Sequence, residues 1–355
     1  MIKFIWIFSL TICALVVNAQ ADINGYLKTH HYAFSLDKGF EQPVSDSLKQ
    51  KLKGYKLVLQ AEGGSHSLAF YKRLPLLWIR FLNVSFGLTH FFLESGHSSD
   101  ILMNKYLQTG DSSYCYTSDK SFWKSLYAYN LNLPENKKLK YFGIDFERAS
   151  TYIRALKLIL PGAATPETIK PFIDLIKNAD DTLKDCDYII NINKELRSGI
   201  SNNKKQFVEY FGVNYSDLER VVLNNGDCKD VHNNRNKNMA SGFLSFDQDF
   251  KQPIYFGELG EAHTVLINKN TASILNRSVQ FKNKVCVVNL YCYNCTTASE
   301  QVSNWPLKKI EKDILEYFLP YCNTNFTLFD LSDDIELTKK YNVYGQFLVL
   351  VKNQE

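Results

Sequence analysis

Lys56-Leu-Val-Leu-Gln60 leads straight into Ala61-Glu62-Gly63-Gly64-Ser65-His66, and Leu88-Thr-His-Phe-Phe-Leu93 leads into Glu94-Ser95-Gly96-His97. Both are short apolar runs that stop abruptly on ionisable residues. In an open α/β sheet, ligands bind outside the carboxyl ends of the strands, where loops expose side chains that buried strands hold rigid. Between the two runs, Leu68, Phe70, Leu74, Leu77 and Phe81 recur close to helical spacing, with Pro75 expected to kink or break the helix. A second helical stretch, 98–107, is followed by a stop at Gly110. The order strand-helix-strand-helix predicts parallel strands joined by right-handed crossovers. The fold class expected is therefore α/β: a mainly parallel or mixed central sheet flanked by helices.

The same kind of ending recurs further along. Residues 139–144 end on Asp145, and Pro253-Ile-Tyr-Phe-Gly257 runs into Glu258-Leu-Gly-Glu261-Ala-His263. Sheet-like sequence is also expected at 263–268, 285–291, 326–330 and 345–351. Val285-Cys-Val-Val-Asn-Leu-Tyr291 and Phe347-Leu-Val-Leu-Val351 are as apolar as strands buried on both faces should be. Residues 22–54 are polar, and a helix or two is expected there. Residues 151–225 carry no convincing strand. Thr165-Pro166-Glu167 reads as a helix start, with Ile169, Phe172, Ile173 and Ile176 recurring on one face behind it. The chain is thus expected to divide into a first part of the α/β core (20–150), an all-helical insertion (151–225) and a second part of the core (226–355). The insertion would either cap the strand ends or pack on a sheet face.

The first residues read as an address. Lys3 supplies a positive charge, residues 4–17 are apolar but too few to cross a bilayer, and Val17-Asn18-Ala19 is a small-residue cleavage site. Residues 1–19 are expected to be removed as a signal peptide, leaving a periplasmic or secreted protein with no membrane segment. Lys+Arg 41 against Asp+Glu 37 gives a net charge of +4, too small and too scattered for a nucleic-acid partner. Of eight cysteines, Cys13 leaves with the signal. An odd remainder in an oxidising compartment requires a free thiol or an intermolecular bond. Cys292-Tyr-Asn-Cys295 has the spacing of a redox or zinc pair, but no second such pair accompanies it, so a local disulfide or inert buried thiols are expected.

His66, Glu94, Asp145 and His263 each lie just past a predicted strand, so on parallel neighbours they share one edge. Singly, such a residue has an ordinary structural reading; four together make a candidate site. A His beside carboxylates on a half-buried rim can take a proton from water, because the carboxylate orients the imidazole and raises its basicity. No Gly-x-Ser-x-Gly elbow is present, so a serine nucleophile is not indicated.

Leu59-Gln-Ala-Glu-Gly-Gly-Ser65-His66-Ser67 resembles the Gly-Glu-Ala-Thr-His-Gly signature of the erythromycin-esterase-like family. In the same order, Phe92-Leu-Glu94 is similar to that family's Leu-Glu strand end, and Asn104-Lys-Tyr-Leu-Gln-Thr-Gly110 to its Asn-x-Tyr-Leu-x-Thr-Gly helix end. Tyr141-Phe-Gly-Ile-Asp145 is similar to its Gly-Phe-Asp strand and Arg235-Asn-Lys-Asn-Met-Ala240 to its Arg-Asp-x-x-Met-Ala, while Gly260-Glu-Ala-His263 falls where the family has His-Asn-x-His. The resemblance implies a divergent hydrolase, independent of metals and cofactors, in which a His helped by Glu activates water to open a small-molecule ester or lactone. Transferred by position, it implies His66 as general base, Glu94 as its partner or a second carboxylate, His263 as acid or oxyanion stabiliser, and Glu62 as a further catalytic carboxylate. Arg235, Asp145 and Glu261 would then contact the substrate.

Three positions depart from the pattern: Glu62 lies one residue too far from His66, Asn236 replaces the Asp after the Arg, and Gly260 replaces the first His of the late motif. Losing a carboxylate beside the base would lower its basicity. Two further readings use the same residues: a binding module with a degenerate site, and an exported metal- or haem-binding protein.

Overall fold

The computed structural model describes residues 24–63, 68, 70–117, 119–183, 185–224, 234–266, 269–296, 314–333 and 345–353. The expected signal segment and His66 lie outside them. Among the described residues one mixed sheet contains β1 (His31–Phe34), β2 (Leu57–Ala61), β3 (His90–Leu93), β4 (Lys140–Gly143), β5 (Tyr255–Leu259), β6 (Val285–Tyr293), β7 (Phe326–Asp330) and β8 (Phe347–Lys352). Their order is β1-β7-β8-β6-β2-β5-β3-β4. The run from β8 to β4 is parallel throughout, and β7 pairs antiparallel with both β8 and β1. The carboxyl ends of β2, β5, β3 and β4 therefore lie side by side along one edge.

Among the described residues the helices that bear on the site are α1 (Val44–Leu52), α2 (Arg73–Phe86), α3 (His97–Thr109), α4 (Lys120–Leu131), α5 (Ala149–Leu158), α6 (Lys170–Asn178), α7 (Cys186–Phe211), α8 (Tyr215–Leu223), α9 (Arg235–Asp249), α10 (Glu261–Thr264) and α11 (Thr271–Arg277). On one face of the sheet, Val58, Phe91 and Phe256 pack with Trp78 and Ile79 of α2 and Trp123 of α4. On the other, Leu59, Phe92 and Phe142 pack with Met239, Phe243 and Phe246 of α9 and Leu275 of α11. Burying each such side chain contributes roughly 1.5–3 kcal/mol of transfer free energy, and β2 and β5 are buried along their whole length because both faces are covered. Helices α5 to α8 share a separate apolar cluster, with Ile153, Ile173, Leu196, Phe207 and Leu218, against which Ile101 of α3 packs.

β4 is an edge strand whose outward backbone groups are met by side chains. Asn130 accepts from Leu139 N–H (2.7 Å) and donates to its carbonyl (3.0 Å), and Asn104 does the same for Tyr141 (2.8 and 2.7 Å).

Several local expectations are corrected. Pro75 does not break the helix: α2 begins at Arg73, so Pro75 sits in the first turn, where a missing N–H costs no intrahelical bond. Residues 165–167 are not a helix start; α6 begins at Lys170, because a helix from 166 would place Pro171 in its second turn. Of the strand expected at 263–268, residues 263 and 264 belong instead to the helical turn α10, closed by His263 N–H on the Gly260 carbonyl (2.8 Å), and residues 267 and 268 lie outside the described residues. Residues 22–54 contain α1 but also β1, whose pairing with β7 no local periodicity announces. Cys292 and Cys295 are buried and not joined in a disulfide, whereas Cys186 is disulfide-bonded.

Candidate active site

Asp145 follows β4, Glu94 follows β3, and Arg235 opens α9. Arg235 donates from Nε and Nη2 to Asp145 (3.0 and 2.6 Å), and Nη2 also donates to Glu94. Asp145 is the buried member, its side chain 1% exposed against 18% for Glu94. The guanidinium is thus anchored from below and in turn fixes Glu94. Burial opposes the charge of Arg235, but the two carboxylates outweigh it and raise its pKa. The second oxygen of Glu94 accepts from Gly260 N–H (2.8 Å), and a Cβ at residue 260 would stand 3.3 Å from that oxygen. Glycine at this position leaves room for the close approach.

His263, on α10, has Nε2 3.9 Å from Glu94 Oε1 and Nδ1 2.8 Å from Asn236 Oδ1. That amide oxygen also accepts from the N–H and hydroxyl of Thr271 (3.0 and 2.8 Å). A backbone N–H can only donate, so Oδ1 is the acceptor and the imidazole must place its hydrogen on Nδ1. In the neutral ring the lone pair is then on Nε2, facing Glu94. Burial lowers the His263 pKa, and Arg235 adds to that effect against the opposing pull of Glu94, Asp145 and Glu62, so the ring is neutral at neutral pH.

Glu62, past the end of β2, accepts from Tyr71 (2.5 Å) and lies 3.6 Å from Lys72 Nζ. Lys72 also donates to Glu258 (2.5 Å) and to the Tyr71 oxygen (3.0 Å). Glu258 is wholly buried inside β5, and burial pushes it up to about 7 against the opposing pull of Lys72. Glu62, Tyr71, Lys72 and Glu94 line one cleft of about 390 Å³, with Trp123 and Tyr141 among its aromatic walls. Two larger cavities, of about 900 and 570 Å³, lie beside α2, where Lys72 also forms part of the wall, and at the amino ends of β3 and β4, where Tyr141 does.

Glu261 is packed against Gly63, which takes a left-handed φ of 60°; a Cβ there would lie 3.0 Å from Glu261 Oε1. Among the described residues neither oxygen of this buried carboxyl has a hydrogen-bond partner, and burial alone pushes it up to about 9. Glu261 is therefore a neutral acid at neutral pH.

Of the residues singled out in the sequence, Glu94, Asp145, Arg235 and His263 are brought into one cluster, and Glu94 shares the wall of the 390 Å³ cleft with Glu62. Asp145 is enclosed beneath Arg235, and the Arg235 fork is occupied by two carboxylates; Glu261 is enclosed beside Gly63. Asp145 and Arg235 each hold a charged neighbour, whereas the Glu261 carboxyl hydrogen-bonds to none of the described residues. His66 lies outside the described residues. Glu258, Lys72, Tyr71 and the orienting role of Asn236 were not legible in advance, although a glutamate in the middle of the apolar run 254–259 is a signal: a charge on a strand buried on both faces needs a partner. Among the described residues no group of three or more His, Cys, Asp or Glu side chains is arranged to hold a metal ion.

No protein-family model matches the sequence, and no curated protein does. Solved structures match across nearly the whole chain at low identity. A succinoglycan biosynthesis protein superposes with a TM-score of 0.65 at 12% identity, covering 94% of this chain and 97% of its own. A Bacillus cereus protein gives 0.61 at 14%, with the same coverages. An erythromycin esterase bearing a His-to-Asn substitution, in its open conformation, gives 0.60 at 12%, covering 87% of this chain and 93% of its own. The chain is an α/β protein with a distant structural relationship to an erythromycin esterase.

Proposed function

We propose that the protein is an exported hydrolase in which His- and Glu-assisted water opens an ester or lactone in a small molecule. The observation that carries this reading is the Nε2 lone pair of His263 held beside Glu94 at the carboxyl edge of the parallel strands. Each group is fixed from behind: His263 by Asn236, Glu94 by Arg235 and Gly260, and Arg235 by Asp145. Such preorganisation is what general-base chemistry needs. His263 takes a proton from water as the oxygen attacks the acyl carbon, Glu94 stabilises the imidazolium, and the proton is returned to the departing alkoxide. His66, which follows β2 in the sequence and which the resemblance to the erythromycin-esterase signature implies as general base, is a second acid–base group of this reading. The signal-like residues 1–19 and the disulfide at Cys186 support the exported half of the reading.

The test is turnover of a panel of p-nitrophenyl esters and macrolactones by purified protein with chelator present, repeated for His263→Ala and His66→Ala. Loss of a general base typically lowers the rate about 10²–10⁴-fold. Ligand-induced thermal stabilisation without turnover would replace the hydrolase with a binding module, and activity abolished by the chelator would replace it with a metal site.

A further inference from the structure

Lys72 is badly placed by local rules. It stands at the N-cap of α2, where the positive end of the helix dipole disfavours a cation, and it is only 12% exposed. Its Nζ is nevertheless surrounded: Glu258 at 2.5 Å, the Tyr71 oxygen at 3.0 Å, Glu62 at 3.6 Å, and the face of the Tyr71 ring, whose centroid is 4.2 Å away. Glu258 is equally out of place, a fully buried carboxyl between Gln60 of β2 and Leu93 of β3, whose Oε1 has no hydrogen-bond partner among the described residues. Apolar residues of the same size would stabilise the sheet at least as well as this pair. A feature that breaks local rules at the edge of a cleft is expected to serve the site.

The arrangement repeats one already described. Asp145 is buried, holds Arg235, and Arg235 holds the cleft carboxylate Glu94. Glu258 is buried, holds Lys72, and Lys72 with Tyr71 holds the cleft carboxylate Glu62. We infer that Lys72 is a positioning residue of the candidate active site, which clamps Glu62 in the cleft as Arg235 clamps Glu94, and that Glu258 serves to hold Lys72 in place. The inference rests on the hydrolase reading only in giving Glu62 work in the reaction; the clamp itself is independent of it.

Lys72→Met alone leaves Glu258 buried without a cation, so the decisive variant is Lys72→Met combined with Glu258→Gln, compared with Lys72→Arg. The Glu62 carboxyl is followed by ¹³C NMR, assigned by its disappearance in Glu62→Gln, alongside kcat and KM on any ester the wild type hydrolyses. Removing the cation should raise the Glu62 titration midpoint by roughly one pH unit, lower kcat about 10–100-fold, and leave KM within about threefold. Lys72→Arg should restore both the midpoint and, within about fivefold, kcat. A folded double variant with an unmoved Glu62 midpoint overturns the inference. If the wild type hydrolyses nothing, the hydrolase reading falls while the Glu62 midpoint still decides the role of Lys72.

Discussion

Asn236 takes the Nδ1 hydrogen of His263 across 2.8 Å, and that single bond decides which side of the imidazole is free to do chemistry. An aspartate here would hold the ring equally well but would add a negative charge; the amide orients without charging. With a pKa below the usual 6.5, the neutral ring persists to lower pH than a solvent-exposed histidine would allow.

Replacing Asn236 by Asp should therefore raise the His263 pKa. The sign follows from the role: a base works when unprotonated, so activity is present above its pKa and lost below it. The acid limb of kcat/KM, lying below pH 6.5 in the wild type, should move to higher pH in Asn236→Asp. Asn236→Leu, which leaves the ring unheld, should lower kcat by about 10²-fold. An acid limb that stays put in Asn236→Asp would mean that another group governs it.

Arg235→Met should be costly to stability as well as to activity. It strands Asp145, which is 2% exposed, as a buried charge without a cation. Breaking such a pair typically costs about 3–5 kcal/mol. Adding Asp145→Asn should recover most of that loss in urea unfolding without recovering activity, because Glu94 would still be unheld. Equal stability of the single and double variants would show that Asp145 is not the residue being stranded.

Glu261 should make the protein less stable as pH rises. Its folded pKa of about 9 exceeds the usual carboxyl value, so the folded state retains a proton that the unfolded chain has given up. Its contribution is fully present below about pH 4.5 and is lost progressively up to about pH 9, at no more than about 1.4 kcal/mol per pH unit. Glu261→Gln should flatten the dependence across that window, measured as urea midpoints at several pH values. Parallel curves for wild type and variant would show that Glu261 is ionised in the fold.

Gly143→Ala tests how the site is carried by the strands. A Cβ at residue 143 would collide with the backbone oxygens of Ser95 and Gly96, the two residues after Glu94. Backbone yields less readily than a side chain, so the variant should lose about 1–3 kcal/mol of stability and much of its activity. Gly242→Ala, whose nearest neighbour would be 3.3 Å away, should be milder on both counts. The reverse ranking would show that the 95–96 segment moves freely.

The strands of the parallel core could be read because β2, β5 and β6 are apolar enough to announce burial on both faces, and because each run ends on a charge. The cluster of Glu94, Asp145 and His263 followed from those endings alone. Its wiring did not. Arg235 has the same residue type whether it binds a solute or a carboxylate, and only the positions of β3 and β4 show that two carboxylates occupy it. Asn236 looked like a lost charge until Thr271, 35 residues away, fixed the direction of its amide. Lys72 and Glu258 meet across 186 residues, so no spacing in the chain could pair them. β1 was missed for the same reason, since its partner strand is distant and its four residues carry no period.

Asn130 and Asn104 occupy the outer side of β4 as though they were the backbone of another strand. The sheet therefore presents no open hydrogen-bonding row at that end to an incoming extended chain, and strand exchange between crowded copies is blocked there. Asn104 belongs to the stretch that resembles the Asn-x-Tyr-Leu-x-Thr-Gly motif. An apolar residue in place of Asn104 would leave the Tyr141 backbone unsatisfied and open that edge to another strand.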